Sequence, residues 1–576
     1  GEGPPARFFR APRAGPRDTP LVGSGRDKGE VLFALVPAAF CALLLAAADP
    51  RGEFPLNDDF QWSDAVFRLA AGGGLRFAEW VYASAVTHVL LGVVPAFIFG
   101  ASDWILRLWN MAWGCAAAGG VFLLARRFGA GTGAALAAAC ALAADPLHLT
   151  MSASFHLEVT MLAAVLLAVW AFLVHLESGS VPALAAASAA LGAAALTRQT
   201  AAVAALGMAG VLAARGRLGR REAAALLVPL GLMLAAWRAW FIFVHGPTYS
   251  SLVLAPAFLP ADILDPSALL AAARRMVDAV LSVAFLASPL ALAAAASLRR
   301  RPLPGRAEAA VLALAAAAAL DALGRGGMPL MGNTISRAGL GVVTLNDPGF
   351  KAAGWWGAPA LWLAADAVAL ASAAAFVRLF WPRPGEEPGA RLARAALSVA
   401  AVPLLATAAL TPNNDRYLLA WLPLVLLAAA WSSGARGVLA LGLGAALAMG
   451  AWSAAGLRDY FAWNRARAEA GRIALSRGVP PEKLENGFDW DGRLTLDKNM
   501  KRLLASHPPE AIGGWDWMAL NKIVALTSFS PRPPRPDFVL VDSVPYTTPL
   551  VRGERRVYLY GLSAAAAKTS EAALPR

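Results

Sequence analysis

The sequence predicts an all-α polytopic membrane protein with a small α/β soluble domain at its C-terminal end. Three observations carry this. Of 576 residues, 58% are apolar and only 15% are charged. Apolar runs of about 18 residues or more recur along the chain. Long Ala/Leu/Val runs show no alternation of period two, which selects helices over the closed barrel, the other structure able to span a bilayer.

The spans read from these runs are 31–48, 103–125, 131–149, 159–176, 223–245, 276–298, 307–324, 356–381, 392–411, 416–432 and 435–455. The stretch 181–214 holds two short spans broken at Leu196 to Thr200, "LTRQT". The segment 81–100 is apolar enough to cross, but it carries His88, Pro95 and small polar residues. Orientation decides it. The basic residues cluster in short loops, at Arg126-Arg127, Arg215 to Arg221, Arg299 to Arg306 and Arg383 to Arg394. If 81–100 lies along the surface, all of these share the side of the basic N-terminal tail, as the positive-inside rule requires. About thirteen spans result, with the N-terminus inside and the C-terminus outside.

Three domains follow: a disordered cytoplasmic tail, 1–30, rich in Arg, Pro and Gly; a membrane domain, 31–455; and an extracytoplasmic domain, 456–576, where charge, Trp and Pro return. The run after the tail lacks a small-residue cleavage site and reads as an anchor. The last part begins helical and ends in two strand-like stretches, "DFVLVDSVPY" and "RRVYLYGL".

The net charge of +13 lies in loops and makes no basic face studded with aromatics, so nucleic acid is not a partner. Cys41, Cys115 and Cys140 lie in apolar runs and form no disulfide or metal pattern. No HExxH, P-loop or GxSxG motif occurs.

On this topology, polar residues from distant parts of the chain meet on the outer membrane face. Asp58 and Asp59 adjoin the bilayer, where low dielectric strengthens a carboxylate as a base; the blander reading is a hydrated loop or helix cap. Glu158 opens an apolar run, where an acid is costly and marks a functional site. His156, two residues earlier, contacts a sugar hydroxyl or phosphate, or caps the helix. Arg198 and Arg416 are candidate anion binders, because a guanidinium stays charged and grips phosphate bidentately; interfacial snorkelling is their alternative. Gln199, Tyr417 and Lys351 complete the expected substrate-binding set. Asp58, Glu158 and His156 are also the candidate ligands of a Mg²⁺ or Mn²⁺ ion. A base for an acceptor hydroxyl, cations for a phosphate leaving group and apolar walls for a lipid tail suit sugar transfer from a polyprenyl-phosphate donor.

At these residues the chain resembles the integral-membrane GT-C glycosyltransferases, in the group of protein O-mannosyltransferases and aminoarabinose transferases (glycosyltransferase family 39-like). The resemblance rests on "LNDDFQWSDAVFRLAAGGGLRF", "DPLHLTMSASFHLEVTML", "AALTRQT", "DRYLLAWLPL" and "GVPPEKLENGFDWDG", in that order. It implies a GT-C fold with juxtamembrane helices in the first outer loop, a lipid-linked donor, an outward active site in a bacterial inner membrane, and inversion at the anomeric carbon. Asp58 corresponds to the catalytic residue of the first loop, Asp59 to its acidic neighbour and Glu158 to the second acidic position. Glu158 stands where relatives commonly have Asp, and Thr160 where many have Pro. The acceptor, whether glycan, lipid or protein, stays open. A polytopic transporter or lipid-linked sugar flippase is the competing class; it calls for inverted repeats with charges at the membrane midplane. A catalytically silent scaffold of the same fold is a third reading.

Overall fold

A computed structural model describes residues 28–257, 265–298, 304–324, 332–345, 358–381, 414–432, 437–548 and 551–563. Helices dominate. Among the described residues six are long and apolar enough to cross a membrane: Gly29–Ala48, Asp103–Arg127, Leu157–Ser178, Arg220–His245, Pro359–Phe380 and Leu439–Ser476. Two bent pairs bring the number to eight if each is one span. The protein is a multi-pass membrane protein. The expected span at 392–411 lies outside the described residues.

Several elements depart from the expected runs for local reasons. The expected span 131–149 breaks into Thr132–Ala144 and Pro146–Ser152, bent by 59°. Asp145 is extended there, and its carboxylate accepts from the His148 amide while Pro146 starts the next helix without an N–H to satisfy. The run 276–298 belongs to a longer pair, Pro266–Leu286 and Ser288–Ala295, bent by 74°. The run from 416 begins as a 3₁₀ turn, Asp415–Leu418, and becomes α-helical only at Leu422–Ser432. The stretch 181–214 is broken where expected, with Val181–Ala195 ending before Arg198 and Ala204–Ala214 following a 3₁₀ turn. Val86–Phe99 has 14 residues, about 21 Å at the helical rise, short of a bilayer core of about 30 Å.

The two ends of the helical body differ in chemistry. At one end Arg126 pairs with Glu30 at 3.0 Å and Arg127 with Glu177 at 2.6 Å, while Arg217 caps the carbonyl of Leu176. At the other end lie Asp103, at the opposite terminus of the helix that carries Arg126 and Arg127, and Glu158, at the opposite terminus of the helix that carries Leu176 and Glu177; Asp58 and Arg198 are near Glu158.

The helix Gly437–Ser476 runs 40 residues without a break, so it continues from the membrane part through residue 456 into the C-terminal region. That region holds a four-stranded sheet. Leu484–Glu485 pairs in parallel with Ala525–Ser528, which pairs antiparallel with Val551–Leu562, and this in turn with Phe538–Thr548. The last two strands are the alternating stretches of the sequence.

Arg493 is a central tie between the C-terminal region and the first loop. Arg493 makes two bonds to the Asp103 carboxylate, at 2.7 and 2.8 Å, and one to Ser63 Oγ at 2.6 Å. Its Nε lies 2.9 Å from Asp64 Oδ1. Nearby, Asp497 accepts from the Glu79 amide and Phe488 meets Phe60 edge to face. Removing the cation leaves two carboxylates facing one another in a semi-buried place, a cost of about 3 kcal/mol. The variant Arg493→Ala is expected to open this junction on the order of 100-fold more often, read as faster protease release of the C-terminal region from the detergent-solubilised protein. Unchanged cleavage kinetics contradict the fastening role.

Candidate active site

Four side chains from four separate segments make one buried cluster. Arg416 lies between the acids: its Nη2 is 2.8 Å from Asp58 Oδ2 and its Nε is 3.6 Å from Glu158 Oε1. Arg198 Nη2 donates to Glu158 Oε1 at 2.8 Å. Glu158 is fully buried, so its negative charge requires these partners. Tyr417 lies beneath the second arginine, with its ring centroid 4.2 Å from the Arg198 guanidinium carbon.

Local geometry explains why Asp58 is free to reach Arg416. Asn57 takes a positive φ of 50°, a conformation that Asn tolerates better than most residues, and turns the chain into the helix Asp59–Ala70. Asp58 occupies the N-cap position, yet its side chain makes no cap bond. The capping alternative for this residue is thereby answered. The neighbouring acid does the structural task. Asp59 accepts from the Leu56 amide at 2.6 Å and from the Phe155 amide at 3.4 Å. It is 3% exposed, and burial lifts its carboxyl to about 8. The expected pair of catalytic acids therefore divides: Asp58 joins the charged cluster, while Asp59 ties the first loop to the turn before Glu158.

His156 stands beside the cluster, with Nδ1 3.5 Å from Arg416 Nη1 and 3.9 Å from Glu158 Oε2. Burial, and then the Arg416 charge, pull its imidazole down to about 4. The ring is neutral at pH 7, so its approach to Glu158 is not an ion pair. Burial alone would weaken the Arg416 cation, but Asp58 and Glu158 outweigh it and hold the guanidinium charged. Gln199 is placed differently from expectation: its Nε2 donates to the Tyr82 carbonyl at 3.1 Å, joining the broken segment to the first loop. Lys351 lies outside the described residues.

A surrounding layer of polar residues holds the cluster, and sequence reasoning missed it. Arg107 is buried inside an apolar helix and donates to the carbonyls of Pro50, Gly52 and Phe54. Asn110, one turn on, places Nδ2 within reach of the carbonyls of Met151, Ser154 and His156. Asp415 accepts from the amides of Thr334 and Ile335 at 3.0 and 2.8 Å, fixing the segment just before Arg416. Burial lifts the Asp415 carboxyl to about 6. Arg107 and Asn110 share a helix face inside an apolar run, and that was the available signal.

A divalent ion fits this donor set poorly. Among the described residues no three His, Cys, Asp or Glu side chains converge, and each carboxylate of the cluster already faces a guanidinium. The Nε groups of Arg198 and Arg416 and the Oε2 of Glu158 are buried without a hydrogen-bond partner.

Residues 90–240 match the family model described as dolichyl-phosphate-mannose-protein mannosyltransferase. That stretch contains His156, Glu158, Arg198 and Gln199, and the helices that carry them. The match covers 151 of the 576 residues, so it marks a likeness over that part of the chain. Among solved structures, the chain aligns with ArnT from Cupriavidus metallidurans in the apo state, at 16% identity over 92% of this chain and 98% of that one, with a TM-score of 0.37. The same enzyme bound to undecaprenyl phosphate aligns at 16% identity over 94% and 99%, with a TM-score of 0.36. The archaeal oligosaccharyltransferase AglB from Archaeoglobus fulgidus, in complex with an inhibitory peptide and a dolichol-phosphate, aligns at 13% identity over 87% and 69%, with a TM-score of 0.41. These likenesses do not extend to residue correspondences. No match was found among curated protein sequences.

Two outcomes follow for this site. Arg416→Lys keeps the charge but loses the fork that spans two acids, so turnover is expected to fall by about 10²-fold or more; a rate within a few-fold of wild type contradicts the bridging geometry. Because His156 is protonated only below about pH 4, His156→Gln is expected to leave the shape of the kcat/KM profile unchanged between about pH 5 and pH 9. Loss of an ionisation near neutrality in that variant contradicts the neutral ring.

Proposed function

We propose that this protein is a glycosyltransferase that moves a sugar, with inversion, from a polyprenyl-phosphate donor to an acceptor hydroxyl at the outer face of a bacterial cytoplasmic membrane. The observation that carries the reading is the convergence of Asp58, Glu158, Arg198 and Arg416 at the end of the helical body away from its basic loops. Under the positive-inside rule that end faces outward, and the C-terminal region with it.

The chemistry is one displacement. Asp58 takes the proton from the acceptor hydroxyl as its oxygen attacks the anomeric carbon from the face opposite the phosphate. The bond from the anomeric carbon to the phosphate oxygen breaks, and its electron pair leaves with the polyprenyl phosphate. Arg416 and Arg198 bind the developing phosphate charge. Glu158 keeps both guanidiniums in place. The described cluster already balances two anions with two cations, so the donor phosphate adds the charge that draws Arg416 from Asp58. That movement frees Asp58 as the base at the moment when donor is bound. A divalent ion is not required by this scheme. Hexosyl and pentosyl donors both remain within it.

The test uses the purified chain in nanodiscs with a panel of polyprenyl-phosphate sugars. Asp58→Asn is expected to lower transfer by about 10²–10⁴-fold while polyprenyl-phosphate binding persists, followed by thermal stabilisation. Transfer that survives this substitution removes Asp58 as the base. Movement of the lipid-linked sugar between leaflets with no new glycosidic bond would favour the flippase reading.

A further inference from the structure

A cavity of about 690 Å³ opens beside Asp58. Three segments build its walls: the first loop through Asp58 and Trp80, the stretch 342–345, and the C-terminal region through Phe488, Asp491 and Trp515. Its volume falls in the range of about 300–1,000 Å³ that encloses a compact small molecule.

One wall is aromatic. The Trp80 and Trp515 ring centroids are 5.7 Å apart, and Phe488 lies 5.5 Å from Trp515 and 6.4 Å from Trp80. Gly514 permits this approach, since a Cβ there would come 3.1 Å from the Trp80 ring. Phe488 is buried in its own cluster, but Trp515 is 59% exposed. The exposed ring of Trp515 thus offers an aromatic face to an occupant of the cavity.

The opposite chemistry stands next to it. Asp491 is 3% exposed. Its Oδ1 accepts from the Asn486 amide at 3.0 Å, but its Oδ2 has no hydrogen-bond partner. Thr344 Oγ1 is likewise buried and unpartnered. Arg535 and Glu485, paired at 3.1 Å, also line the space. Burial raises the carboxyls of Asp491 and Glu485, so each is readier to share a proton with a ligand hydroxyl.

We infer that this cavity is the acceptor subsite and that its occupant is a saccharide: a sugar ring lies on Trp515 while its hydroxyls meet Asp491 and Thr344, and one hydroxyl is presented to Asp58. The inference rests on the reading of Asp58 as the base. A sugar is amphipathic in the required way. Its C–H face is weakly positive and seeks the negative face of an aromatic ring, while its rim consists of hydroxyls that donate and accept. A lipid chain would leave Asp491, Glu485 and Arg535 desolvated without compensation. A peptide would call for a row of main-chain partners, whereas the open groups here are side-chain oxygens on two different segments.

The experiment is saturation-transfer NMR on the full chain in nanodiscs, without donor lipid. The probes are glucose, galactose, mannose, N-acetylglucosamine and maltose, with a Ser/Thr-containing hexapeptide as the comparison. At least one sugar is expected to bind, and Trp515→Ala is expected to weaken it roughly tenfold. Thr344→Val, which keeps the shape and removes the oxygen, should weaken it as well. Binding of none of the sugars, sugar binding unaltered in both variants, or binding of the hexapeptide alone overturns the inference. The measurement involves no turnover, so its failure leaves the donor chemistry standing. Activity surviving in Asp58→Asn would sink that chemistry without altering sugar binding here.

Discussion

A single guanidinium between a buried acid, Glu158, and a half-buried one, Asp58, is the constraint around which the rest is arranged. Arg416 touches Asp58 on one side and Glu158 on the other, and Arg198 completes the charge balance. Burying any one of these ions alone would be prohibitive. Burying them together is tolerable only when their separate segments arrive at the same point with the correct geometry. A loop, a helix start, a helix break and a 3₁₀ turn must therefore be placed to within the reach of a hydrogen bond.

The placement is done by residues that take no part in the cluster. Asp59 links the first loop to the turn before Glu158, Arg107 gathers the carbonyls of the first loop, and Asn110 gathers those of residues 151–156. Asp415 moors the last segment. The C-terminal region adds Arg493 from outside and closes the far wall of the cavity beside Asp58. Membrane part and C-terminal region thus meet at the place where an acceptor would approach, so docking of the second is part of building the site in the first.

Much of this was legible in the sequence. The helical, membrane-spanning character follows from apolar runs, and the last two strands from alternation. Asp58, Glu158, Arg198 and Arg416 stood out because a charge at the edge of an apolar run is costly and needs a reason. Other features were not legible for equally physical reasons. Asp58 and Asp59 are chemically identical and adjacent; only the turn at Asn57 decides which one meets Arg416. Arg107 and Asn110 are averaged away in a window of apolar neighbours, although their spacing puts them on one face. The breaks at Asp145 and Ala287 fall inside runs whose composition is uniformly apolar, where a bend depends on a proline and a cap rather than on hydropathy. Gln199 looked like a ligand contact and serves as a strut to Tyr82. Contacts between positions separated by hundreds of residues, such as Arg493 with Asp103, leave no local trace.

The most direct measurement is a pair of double-mutant cycles on the unfolding free energy of the protein in bicelles. One cycle combines Arg416→Gln with Asp58→Asn, and the other combines Arg416→Gln with Glu158→Gln. If one guanidinium holds both acids, each cycle shows a coupling of about 1–3 kcal/mol. Effects that add to within about 0.5 kcal/mol in both cycles would contradict the bridge, and with it the account of how the site is assembled.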